Sequence, residues 1–317
     1  MRYGKYTFIC TLNTDAQLPI FKGSTFRGVF GRAFKDVVCA LKRRECPECL
    51  LKSQCIYVNV FEPAVSPHQK KSAHISAAPN PFVIEPPLTD QEEYHAGDSL
   101  EFSLILFGKA NDYLPYFIYA IDRMGAIGIG RKINGKRGRF TLESVLWDGV
   151  PLYTSETKLM SAIDALPEIT IDAPGTRQEV VSSTIKIVLE TPLRIKYNNK
   201  LKADLPFHIL TRAMLRRASA LLFVYGDGEP DIDFTGLVKR AETVVIKESN
   251  LNWHDWQRYS FRQKDKMFLG GIIGSITYSG DIAPFLSMID FCAKTHIGKQ
   301  TAFGLGKMAC DEMMGGE

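Results

Sequence analysis

Long apolar runs are missing from this chain. The N-terminal stretch MRYGKYTFICTLN has no signal-peptide core, and no later segment is an unbroken apolar run long enough to span a bilayer. The expected location is therefore the cytosol, with no membrane partner. A strong charge of one sign is also missing. Lys and Arg number 39 against 35 Asp and Glu, so the net charge is only +4, and the sequence pI is near 8.6. A polyanionic partner is compatible with that balance but not demanded by it, so the placement of the cations decides. A working nucleotide-hydrolase loop is absent as well. The spacing from Gly130 to Gly135-Lys136 imitates one, but Arg137 stands where a magnesium-binding Ser or Thr is needed, and the strand-like RFTLESV follows where a helix should. Seven cysteines in a cytosolic chain argue against a disulfide framework.

What is present is a globular composition, 45% hydrophobic and 23% charged, over 317 residues, enough for two domains with separate cores. Four cysteines, Cys39, Cys46, Cys49 and Cys55, fall close together, and Cys46-Pro47-Glu48-Cys49 has the two-residue spacing that brings two thiolates to one tetrahedral ion. A structural zinc site, or an iron–sulfur site, is one reading. The other is a core thiol at Cys39 with loop thiols after it, because the outer spacings match no standard finger.

Taken in order, Tyr6 to Leu12 alternates as a strand does. Ser24 to Leu41 carries Phe26, Val29, Phe30, Ala33, Phe34, Val37 and Val38 at helical spacing, with Ser24 as N-cap. Arg27, Arg32 and Lys35 mark the opposite face, solvated by default and facing RNA only secondarily. Proline dominates from Phe61 to Pro87, leaving Phe82 to Glu85 as at most a short strand. Ser99 to Phe107 is a strand, followed by a helix from about Tyr113 to Met124 and a glycine cluster. Arg131 and Lys132 then open a run of five cations reaching Arg139, a polyanion contact or a solvated hairpin tip.

After a weakly patterned stretch the order begins again. Ser183 to Glu190 is a strand, and Leu205 to Tyr225 is a helix bearing His208, Arg212, Arg216 and Arg217. Thr243 to Lys247 and Met267 to Tyr278 are strands, and Ala283 to Thr295 is a helix. The order β-α-β-β-α-β, given twice, predicts an α+β chain of two tandem ferredoxin-like domains. The expected boundaries are 1–150 with a cysteine-containing insertion at about 42–87, a linker at 151–182, and 183–317 carrying a glycine-rich loop after the last helix.

That loop, HIGKQTAFGLGK from His296 to Lys307, combines a histidine, two lysines, a threonine and three glycines. Gly298, Gly304 and Gly306, lacking Cβ atoms, offer main-chain N–H groups to phosphate oxygens while Lys299 and Lys307 add charge. The alternative is a tight turn into the last strand.

With these segments on the page the chain resembles the CRISPR precursor-RNA processing endoribonucleases of the RAMP superfamily. The resemblance covers nearly the whole sequence. Its most specific part is RYSFRQ (Arg258 to Gln263), FLGGIIGSITYSGD (Phe268 to Asp281) and HIGKQTAFGLGK in that order. FKGSTFRGVFGRAF, CPECLLKSQC, VFEP and PNPFVIEPP look like the family's cysteine-containing branch.

The resemblance implies metal-independent cleavage of CRISPR repeat RNA, with no catalytic cofactor and with other CRISPR effector subunits as further partners. Such chemistry needs a base for the 2′-hydroxyl, an acid for the 5′ oxygen and cations for the pentavalent transition state. Of the six histidines, His296 is the first expected catalytic residue, with the neighbouring Lys299 also expected to be catalytic; the alternative for His296 is a helix C-cap, and His208 is the second histidine candidate. RNA contacts are expected from Gly298, Thr301, Gly304, Gly306, Lys307, Arg258, Tyr259, Arg262, Arg212, Arg216, Arg27, Arg131 and Lys132. A non-catalytic RNA-binding RAMP subunit is the competing reading, and a zinc-stabilised interaction protein is a third.

Overall fold

A computed structural model of the chain describes residues 1–42, 46–64, 77–172, 184–195, 204–255, 257–260, 265–268 and 270–312. His68, His74 and Arg262 lie outside them. The chain divides into two compact units, Met1–Glu168 with Val224–Gly226, and Ile169–Phe223 with Asp227–Glu317.

The first unit contains β1 (Tyr3–Leu12), β2 (Ala16–Gln17), α1 (Gly23–Val38), α2 (Ile56–Phe61), β3 (Phe82–Glu85), β4 (Glu93–Tyr94), β5 (Ser99–Phe107), α3 (Leu114–Ile127), β6 (Ile129–Ile133), β7 (Lys136–Gly138), β8 (Phe140–Trp147) and β9 (Val150–Thr154). Its main sheet has the order β3-β5-β1-β8-β9, the ferredoxin-like order with one strand added at the edge. Alternation dictates the buried face: Tyr6, Phe8, Cys10 and Leu12 all point inward, and Phe8 pairs with Phe102 in register, the rings stacked at 5.4 Å. Upon this face α1 lays Phe26, Phe30, Ala33 and Phe34, three and four residues apart. The helix begins at Gly23 with Lys22 as its N-cap residue, two residues before the expected cap, so Ser24 is inside it and is not the cap. Phe34 meets Phe117 at 4.8 Å, whereas Phe26 shares a small apolar space with Ile121 and Met124, so α1 and α3 run antiparallel.

Two hairpins follow from dipeptides that favour positive φ. Asp148 and Gly149 (φ 50° and 76°) turn β8 into β9, where Trp147 faces Val150. The segment after Gly149, read from sequence as the start of a linker, is thus a fifth strand. Asn134 and Gly135 (φ 49° and 80°) turn β6 into β7, at the edge of a small sheet ordered β4-β2-β6-β7.

The second unit contains β10 (Thr184–Leu193), α4 (Phe207–Tyr225), α5 (Phe234–Ala241), β11 (Val245–His254), β12 (Gln257–Ser260), β13 (Asp265–Phe268), β14 (Gly271–Ser279), α6 (Leu286–Thr295) and β15 (Met308–Glu312). The order β11-β14-β10-β15 again has ferredoxin-like connectivity. β11 is longer than its apolar pattern suggests because it lies at a sheet edge with almost every residue exposed. His254 faces Gly271, and Gln257 faces Phe268 three residues further along both strands, so the β12–β13 pair keeps the β11–β14 register.

The helices of this unit depart from the first. Phe207 packs on Phe285 at 4.9 Å, the Cys292 thiol reaches the Met214 carbonyl, and Arg217 reaches the Thr295 carbonyl. Every one of these contacts links residues 78 apart, so α4 and α6 run side by side in the same direction. Both point their C-terminal ends toward the start of the glycine-rich loop.

Candidate nucleic-acid interface

α6 ends because His296 adopts φ 58°, outside the helical region. Its last carbonyls would be orphaned in the interior, and a buried arginine takes them up. Arg217 donates from Nη2 to Thr295 O at 2.7 Å and from Nε to His296 O at 3.0 Å. The guanidinium also sets a positive charge where the helix dipole is negative. Arg217 shares the apolar side of α4 with Leu210, Met214 and Leu221, all buried. That helical spacing is a sequence signal that separates it from Arg212 and Arg216, which are exposed.

The loop then folds onto the end of β10. Ile297 N–H donates to Gly306 O (3.0 Å), Lys299 N–H to Arg194 O (3.1 Å) and Gly306 N–H to Pro192 O (3.2 Å). Gly304 N–H returns to Thr301 O at 2.8 Å. The Thr191 hydroxyl donates to Gly304 O and accepts from Lys307 N–H, both at 2.8 Å. Ile297, Ala302 and Leu305 plug the interior.

The glycines therefore serve shape. Gly298, Gly304 and Gly306 have φ of 82°, 84° and 71°, and a Cβ on Gly306 would collide with the Ile297 carbonyl oxygen. This corrects the expectation of an open phosphate cradle: Thr301, Gly304 and Gly306 are buried, and the amides of Ile297, Lys299, Gly304, Gly306 and Lys307 already have acceptors.

His296 is corrected too. It is fully buried, with Nδ1 at 3.1 Å from Leu305 O. His296 stands at the C-cap position of α6, but its ring pairs with a carbonyl of the loop and not with one of the helix, whose last carbonyls Arg217 takes, so the ring ties the two ends of the loop together. Lys307 is half-buried and pairs with Glu190 at 3.0 Å. Lys299 is the single exposed residue between His296 and Lys307.

His208, half-buried, opens α4 beside the first turn of α6. The ten residues of α6, at about 1.5 Å each, separate that level from the loop by roughly 15 Å. His208 and Lys299 thus do not form one centre. His208, Arg212 and Arg216 follow one another at intervals of four along one face of α4, and Arg216 lies at the loop end of that stripe.

Of the remaining expected contacts, Arg131 and Lys132 are exposed on β6. Arg27 is half-buried with its guanidinium 4.8 Å from the Phe61 ring centre, and Lys35 stands 5.4 Å from that of Tyr57. That face of α1 is partly a cation–π seat for α2. Arg258 and Tyr259 lie on β12 opposite Met267 and Lys266. Cys39, Cys46, Cys49 and Cys55 are free and half-buried. Among the described residues no group of three or more His, Cys, Asp or Glu is placed to hold a metal ion.

Residues 1–165 match the family model AF_1859_N, an N-terminal domain, and residues 187–308 match the CRISPR-associated endoribonuclease Cas6 model. An uncharacterized protein of Archaeoglobus fulgidus is 27% identical over 301 residues, 91% of either chain. Among solved structures, a partial Cas6-RT-Cas1–Cas2 complex is similar at a TM-score of 0.56 and 16% identity, covering 99% of this chain but 46% of that one. This chain therefore spans less than half of that longer protein. Thermus thermophilus Cas6 is similar at a TM-score of 0.52 and 13% identity, over 98% of both chains. By its N-terminal domain, over half of its length, the chain belongs to the AF_1859_N family, and its residues 187–308 match the CRISPR-associated endoribonuclease Cas6 family.

Proposed function

We propose that this protein binds CRISPR repeat RNA in the cytosol and cuts the precursor transcript without a metal ion, the ribose 2′-hydroxyl attacking the adjacent phosphate. The observation that carries the proposal is the presentation of Lys299. A loop fastened by its own amides and by β10 buries or half-buries every neighbour and leaves one ammonium outward. A cation held in this way stabilises the charge that develops on the pentavalent phosphate without reorganising during the reaction. Arg216 and Arg212 extend the positive surface along α4, and His208 serves the RNA contact at its far end. The proton of the 2′-hydroxyl passes to solvent, and the 5′ oxygen released as its bond to phosphorus breaks takes a proton from solvent, which makes cleavage slow, since a positioned general acid or base is typically worth about 10² to 10⁴ in rate.

The burial of His296 favours a second reading, a subunit that binds guide RNA without cutting it. One experiment separates the two. Purified protein is mixed with its repeat RNA in excess chelator and the product ends are identified. A 2′,3′-cyclic phosphate is expected. Tight binding with intact RNA would establish the non-catalytic reading instead, and cleavage that appears only when magnesium is restored would end the metal-independent one. Other CRISPR subunits are proposed as partners on the likeness to part of the Cas6-RT-Cas1–Cas2 complex.

A further inference from the structure

The β6–β7 hairpin carries positive charge that nothing on the described surface neutralises. Arg131, Lys132, Lys136 and Arg139 are exposed, and among the described residues none of them takes part in an ion pair. From Ile129 to Arg139 there is no acidic residue and no aromatic one. The hairpin is also built to hold its shape. Its turn is an Asn134-Gly135 pair with both φ positive, the dipeptide that best matches the twist of two paired strands. At its base Arg137 Nη1 donates to Gly130 O at 2.7 Å. Gly130 itself packs so closely on the Gln17 backbone that no side chain fits between them. One of the five cations is thus spent on fixing the ribbon, and four are left to project from it.

We propose that this hairpin is a phosphate clamp for helical RNA, contacting the backbones of a duplex without reading its bases. The inference rests on the RNA-binding reading above and names the form of RNA that this second contact takes. Two features select a duplex over a single strand. Neighbouring strand residues point to opposite sides, so Arg131 and Lys132 place cations on both faces of the ribbon, as fits a groove with phosphates on either side. Platforms for single strands rely instead on aromatic rings that stack on bases, and the hairpin has none. A-form helices are recognised mainly through shape and backbone, which four lysine and arginine side chains with no base-reading partners suit.

The test compares the full-length protein with R131A/K132A/K136A on two probes, an RNA duplex of about 20 base pairs with no repeat sequence and a polyuridine strand of about the same length. Duplex affinity is expected to fall about tenfold or more at 0.1 M salt, and the slope of log K against log salt by about 2 to 3, close to 0.9 per lost phosphate contact. Polyuridine affinity should change by less than about twofold on the same reasoning. Reversing the charges with K132E/K136E should weaken duplex binding further. Equal losses on both probes would overturn the selection of a duplex, and unchanged duplex binding would make the hairpin a solvated tip. Both outcomes concern uncut RNA and leave the cleavage proposal standing. Wild-type protein with no salt-sensitive affinity for either probe or for its own repeat RNA would instead overturn the RNA reading of the whole chain.

Discussion

Replacing Lys299 with alanine is expected to slow single-turnover cleavage of repeat RNA by about 10²-fold or more, roughly 2.7 kcal/mol of transition-state stabilisation. The reason is the position of the side chain. Its amide is tied to Arg194 O at 3.1 Å, and it is the exposed member of an otherwise covered loop. A charge directed at the reacting phosphate acts more strongly on the transition state than on bound substrate. Affinity should therefore fall much less than rate, by a few-fold on the scale of one phosphate contact. Lys299→Arg keeps the charge but changes its shape from a compact ammonium to a planar fork, so partial recovery is expected. A Lys299→Ala protein that cuts at the wild-type rate would remove the loop from catalysis. Equal losses in rate and affinity would reduce Lys299 to a binding residue.

This assignment keeps the expected Lys299 and sets His296 aside, because two different loops can share one composition. Glycine, lysine, threonine and histidine in a short stretch suit an open anion cradle, and they equally suit a plug that needs left-handed residues and surface charge. The deciding residues were in view: Ile297, Ala302 and Leu305 alternate with the glycines, and all three are buried. Apolar side chains at that density point to a loop that packs inward. The position of His296 was open between catalysis and capping for a related reason. A histidine after a helix fits both, and only the tertiary partner, here Leu305 O, decides.

Other features were legible to different degrees. Ser99 to Phe107 is found with the expected bounds because alternation and flanking turns agree there. The duplicated strand order emerged from the order of elements alone, since short right-handed connections allow few arrangements. β9 was missed although Asp148-Gly149 announces a two-residue hairpin; the prolines that follow hid it. β11 was cut short because an exposed edge strand has no buried face to impose a period. The direction of α4 was beyond reach, since an amphipathic stripe reads the same whichever way the helix lies on its sheet. It is fixed by long-range contacts such as Tyr278 Oη donating to Leu205 O at 2.6 Å, which holds the start of α4 beside the end of β14.

Arg217→Ala is expected to be the most destabilising change in the second unit that alters neither core volume at an aromatic nor a glycine. The substitution removes a buried guanidinium whose three hydrogen bonds go to the carbonyls of Thr295 and His296. Those carbonyls lie in the interior at the negative end of α6, where leaving them unpaired costs about 1 to 3 kcal/mol each. A total of roughly 3 to 4 kcal/mol follows, allowing for partial relaxation. Because the loss is local, hydrogen exchange on the full-length protein is the fitting measurement. The amides of Ile297, Lys299 and Gly306, which close the loop on itself and on β10, should exchange about 10²-fold faster or more, while those of β1 and β5 keep wild-type rates. Arg217→Lys should recover little, because one ammonium cannot reproduce the fork that spans two successive carbonyls. If the loop amides of the alanine variant stay protected, Arg217 is dispensable to the loop and its burial needs another cause. If they do not, Lys299 loses its fixed presentation as well, and cleavage should fall with protection.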